Sequence, residues 1–104
     1  MSTLREVGSA EASRGLSAAE AVYVEMKLAL ARKLRERRQH RKLTQTQLAK
    51  VLSSSQSRVA KMEAAHPTVS ADFLIRSLLT LGSTRRELAT VIGGLKVKTG
   101  RRPA

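Results

Sequence analysis

Apolar residues recur along this chain at three- and four-residue intervals, and no stretch alternates with the two-residue period of a strand. Val22, Met26, Leu30 and Leu34 lie four apart and share one face of a helix expected from Ala18 to about His40. Ser17 with Glu20 offers that helix a capping box, in which hydroxyl and carboxylate each satisfy a free backbone amide. Leu48, Val51 and Leu52 mark a second helix over Gln45–Leu52, opened by Thr44. Val59 and Met62 mark a third over Gln56–Glu63, opened by Ser55. Pro67 then blocks helical continuation, and Ser70 opens a fourth helix, Ala71–Leu81, ended by Gly82. Its Leu74, Leu78 and Leu81 share a face, with Phe73, Ile75 and Leu79 as a second apolar flank. Ser83 or Thr84 opens a fifth, with Glu87 three residues after Thr84 and Leu88, Val91 and Ile92 on one side, before Gly93-Gly94 stops it. The pattern predicts an all-α domain of five helices over 17–94 with an extended first helix. A flexible N-terminal arm (1–16) and a basic C-terminal tail (95–104) are expected around it.

The stretch from Leu43 to Glu63, LTQTQLAKVLSSSQSRVAKME, pairs two short amphipathic helices across a serine-rich break. Ala49 is small enough to let the second helix cross closely over the first. These residues resemble the helix-turn-helix of the Xre/Cro family of repressors, whose members run close to LTQxxLAxxLGVSQSxISxIE. Leu43, Thr44, Gln45, Leu48, Ala49, Leu52, Ser55, Gln56, Ser57 and Glu63 stand at matching positions, and with flanking helices the likeness extends over about 31–92. Three positions depart from the pattern. Ser53 and Ser54 replace the glycine and aliphatic residue of the turn. Lys42 stands where a helix-ending glycine is common, a site suited to left-handed backbone. Arg37 falls where the first helix of that family buries a leucine. The resemblance implies a repressor-like five-helix fold.

Composition narrows the class further. There is no cysteine, which excludes disulfides and thiol chemistry and fits a cytoplasmic protein. No run approaches the ~20 apolar residues of a membrane span, and no export signal is evident. The net charge of +12 is unevenly placed. Residues 1–31 hold three basic and four acidic groups, whereas 32–42 hold seven basic and one acidic. Such a balance favours a polyanionic partner, nucleic acid first, although cations at the end of the first helix also suit its dipole.

No enzyme is expected. His40 and His66 lack metal-ligand spacing, the serines lack the glycines of a nucleophile elbow, and no carboxylate pair suits acid–base work. No metal and no cofactor is expected. The candidate chemistry is DNA reading. In a helix-turn-helix the N-terminal residues of the second helix lie nearest the bases. Gln56 suits adenine N6 and N7, and Arg58 suits guanine O6 and N7. Ser55 caps the helix, Ser57 permits close approach, and Lys61 suits phosphate. Gln45 resembles the family's phosphate clamp. Arg38 and Arg41, in the basic run, are candidates to follow the phosphate backbone.

The expected function is sequence-specific binding of double-stranded DNA by a transcriptional regulator, a repressor acting as a homodimer on a palindromic operator. Leu88, Val91 and Ile92 are the candidate dimer interface, with helix one, through Tyr23 or Met26, competing. Small members of the family with an extended first helix resemble HigA-like antitoxins, which implies a small RNase toxin as a possible partner. A helical protein-binding adaptor with an acidic partner is the alternative from another class.

Overall fold

The structure, a computed structural model, describes residues 9–94, and the side chains of 17–94. Five helices follow in order: α1 (Ser9–His40), α2 (Gln45–Val51), α3 (Gln56–Glu63), α4 (Ala71–Thr80) and α5 (Arg85–Ile92). No strand occurs among the described residues. The expected tail at 95–104 and the first eight residues of the expected arm lie outside them.

α1 carries the fold. At 32 residues it is ~48 Å long, and α3, α4 and α5 pack against its C-terminal half while α2 lies on α3. One core results, built from Leu30, Ala31 and Leu34 of α1, Leu48 and Ala49 of α2, Val59 and Met62 of α3, Val69, Leu74 and Leu78, then Leu81 and Leu88. The aliphatic stripe of each helix therefore faces the same interior, and Ala49 is buried where α2 meets α3.

Two expectations about α1 are corrected. It begins at Ser9, not Ala18, so Ser17 and Glu20 lie within the helix and form no capping box. Val22, expected on the inner face, is 54% exposed. Val51, placed by the pattern on the inner face of α2, is also exposed. The remaining caps form as expected. Thr44 with Gln47 and Thr84 with Glu87 make full capping boxes, while Ser55 and Ser70 each accept a backbone N–H three residues on.

Four helices end in the same way. Lys42, Ser53, Ala65 and Gly82 all have left-handed backbone, with φ of 58°, 54°, 53° and 96°. The amide after each of them returns to a carbonyl five residues back: Leu43 to Arg38, Ser54 to Ala49, His66 to Lys61 and Ser83 to Leu78, all between 2.8 and 3.0 Å. These sharp reversals keep the connections short and fix the angle between α2 and α3.

Candidate nucleic-acid interface

Val59 and Met62 anchor α3 in the core, which leaves Gln56, Ser57, Arg58 and Lys61 exposed on its outer side. Between the longer side chains lie Ser57, Ala60 and Ala64, so the middle of this face is low and its two edges carry the reach. Ser55 fixes the start of the helix, its Oγ accepting the Arg58 N–H at 3.1 Å.

The edge next to α2 is held by a continuous relay. Arg38 of α1 donates to Glu63 of α3 through Nε at 2.6 Å and Nη2 at 3.0 Å. A third donor, Nη1, reaches the Leu43 carbonyl at 2.9 Å. Glu63 Oε1 also accepts from Gln45 Nε2 at 3.1 Å, and Gln45 Oε1 accepts from Gln56 Nε2 at 2.7 Å. The amide orientation of Gln56 is thus set through Gln45 by an ion pair whose side chains are only 13% and 6% exposed. The hydrogen bond to Glu63 raises the Arg38 pKa above its ordinary value against the opposing effect of burial. At the other edge, the Arg58 guanidinium lies over the Phe73 ring of α4, 4.6 Å from its centroid.

The helix-turn-helix geometry and the chain's sequence agree on what this assembly is. A model of the helix-turn-helix domain family matches residues 29–91, more than half of the chain. The protein belongs to this family. No curated protein and no solved structure matches it. The match takes in all of the core-forming part of α1, the two motif helices and most of α5, and it accords with the likeness to Xre-type regulators.

Not every basic residue of this helix-turn-helix protein faces outward. Arg38 is turned into the protein by Glu63, and Arg41 Nη2 donates to the Leu81 carbonyl at 2.8 Å. Arg37 pairs with Glu87 at 2.7 Å, which explains why an arginine can replace a buried leucine there: it bridges α1 to α5 rather than filling the core. Three of the seven cations at 32–42 thus make internal bonds; Arg38, expected on the phosphate backbone, is committed to Glu63 with little exposure, whereas Arg41 stays exposed and bonds through one nitrogen only. Arg32, Arg35 and Lys42 of the same run remain exposed.

At the other candidate surface, Leu88 is 7% exposed within the protein's own core, and Val91 and Ile92 are half-buried against it. Three further groups escaped sequence reasoning. Lys27 is buried, with Nζ donating to the His66 carbonyl at 3.0 Å and the Tyr23 ring 5.9 Å away. Tyr23 Oη accepts the Ala71 N–H at 3.3 Å. Phe73, read as a core flank, faces Arg58. Apart from the Tyr23–Lys27 pair, four residues apart on α1, no periodicity marks these contacts, because each joins elements far apart in sequence.

Among the described residues, no cluster of three His, Asp or Glu could hold a metal ion, and no helix is long and apolar enough to cross a membrane.

Proposed function

We propose that this protein reads a specific duplex DNA sequence through α3 and acts as a transcriptional regulator, repressing by occupying a palindromic operator as a homodimer. The observation that carries this reading is the relay Arg38–Glu63–Gln45–Gln56, which fixes a Gln amide at the exposed N-terminus of α3. A glutamine held in one plane is prepared for bidentate bonding to adenine, with less rotamer entropy to lose on binding. Gln45, Ser55, Gln56, Ser57, Arg58 and Lys61 form the reading surface. Val91 and Ile92, which keep partial exposure at the end of the stripe, are the part of α5 left to a two-fold mate. Footprinting on the DNA upstream of its own gene tests the proposal. Protection of two half-sites ~34 Å apart is expected; equal affinity for all duplexes would reject it.

One observation favours the antitoxin role as a second reading. Val22, Tyr23, Val24 and Leu28 are exposed apolar residues grouped within α1, a surface suited to a protein partner such as a small RNase toxin. Co-purification with the product of the adjoining reading frame, lost on Val24→Glu, would support it.

A further inference from the structure

Four arginines of this chain lie at the joints between its helices, and they are held in two different ways. Arg37, Arg38 and Arg41 are fixed by hydrogen bonds to Glu87, Glu63 and the Leu81 carbonyl; Arg38 engages all three of its nitrogens in this way, Arg37 and Arg41 one each. Arg58 is held by the face of an aromatic ring, and its guanidinium makes no hydrogen bond to a protein group among the described residues. The difference is chemical. Stacking uses the flat face of the guanidinium and leaves its N–H donors pointing outward in the plane.

The neighbourhood of Phe73 supports the distinction. Phe73 is the only phenylalanine of the chain and sits in the first turn of α4, where the Ser70 Oγ accepts its backbone N–H at 3.1 Å. It packs partly against the core, so the plane of its ring is anchored. The adjacent Asp72 pairs with Arg76 one turn along α4 at 3.1 Å. Among the described residues, Arg58 makes no ion pair and no side-chain hydrogen bond.

We propose that Phe73 is the positioning residue for Arg58, holding its fork at the α4 edge of the recognition helix for bidentate recognition of a guanine. On this view the reading face is braced on both sides, Gln56 by Gln45 of α2 and Arg58 by Phe73 of α4. The inference rests on α3 being a DNA reader, and it adds a specificity determinant outside the two motif helices.

The test is a double-mutant cycle on the full chain. The preferred operator is first selected from a random duplex pool, and affinities are then measured for it and for each single base-pair change. Arg58→Ala should abolish preference at one G·C pair. Phe73→Leu should reduce discrimination at that same pair by about two- to fivefold, leave other positions and the salt dependence unchanged, and add nothing in the Arg58→Ala background. Phe73→Tyr should retain the preference, since it retains the ring. Phe73→Met serves as a second aliphatic variant should leucine perturb folding, with circular dichroism confirming the helices. The proposal is overturned if folded Phe73→Leu and Phe73→Met keep full discrimination while Arg58→Ala loses it, or if Phe73→Leu weakens all sequences alike with and without Arg58. It falls also if Arg58→Ala retains every base preference; in that case continued selection of one operator would show that α3 reads DNA without Arg58.

Discussion

Glu63 connects three helices through one carboxylate, accepting two N–H groups from Arg38 and one from Gln45. Its replacement by alanine leaves a mostly buried guanidinium without its counter-charge, which is expected to cost ~3 kcal/mol. A lower urea midpoint at unchanged slope would register this, and an unchanged midpoint would show that water takes Glu63's place. Removing the side chain also frees Gln45 and with it Gln56. Base readers and phosphate contacts should separate on mutation: Gln56→Ala should cost ~1–3 kcal/mol at one base pair, while Lys61→Ala weakens all duplexes about equally. A Gln56→Ala protein with an unaltered specificity ratio would contradict the assignment of α3. At this scale the sequence was legible for outward residues and illegible for inward polar ones. Gln56, Ser57, Arg58 and Lys61 are exposed as their spacing requires, because helical periodicity dictates which side they take once Val59 and Met62 are buried. The internal bonds of Arg38 and Arg41 are not legible in the sequence, because a run of like charges does not reveal which members find a carboxylate or carbonyl 25 or 40 residues away.

Helix starts were legible where a hydroxyl precedes an apolar repeat, as at Thr44, Ser55, Ser70 and Thr84. The start of α1 was not. Ser9–Leu16 is built of residues that tolerate a helix, Gly15 costs only ~1 kcal/mol relative to alanine, and the capping box at Ser17 loses to eight further residues of helix. Helix ends carry a correctable strain. Lys42 has φ of 58°, a conformation costing a non-glycine residue ~1–2 kcal/mol, of which the greater freedom of glycine in the unfolded chain cancels about half. Lys42→Gly should therefore raise the melting temperature by a few degrees, about 0.5–1 kcal/mol; a decrease would mean that Lys42 makes a compensating contact. The joint between α1 and α5 is expected to respond to pH. The Thr84 backbone N–H, and after it the Arg37 guanidinium, hold the Glu87 carboxyl below its ordinary value. A carboxyl with a depressed folded-state pKa stabilises the fold at neutral pH and loses that contribution as pH falls through the depressed value. Stability should decline in the acid range, and Glu87→Gln, which keeps an acceptor for the cap but no charge, should flatten that decline. Identical acid unfolding of the two proteins would mean that Glu87 contributes nothing to it.

At the scale of the whole molecule, a count of 20 basic residues overstates what is offered to DNA, since three arginines of the basic run make bonds to internal partners. The fold class followed from periodicity alone, but the division of charge into clamps and contacts depends on which helices meet, and no local pattern encodes that. The division has a measurable consequence. A dimer that neutralises ~6–10 phosphates should lose ~10³–10⁵ in affinity between 50 and 200 mM salt. Within that response, an outward lysine and an inward arginine should behave oppositely. Lys61→Ala should lower the slope of log affinity against log salt by about 0.9 for each phosphate contact it removes and leave the melting temperature unchanged. Arg38→Ala should lower the melting temperature, because Glu63 is left buried without its partner, and leave the slope of the protein that remains folded unaltered. Titrating duplex DNA against both variants at several salt concentrations, below the melting point of the weaker one, separates the two kinds of cation. A slope that falls for Arg38→Ala as it does for Lys61→Ala would place Arg38 on the phosphate backbone after all, with the Glu63 pair opening on binding.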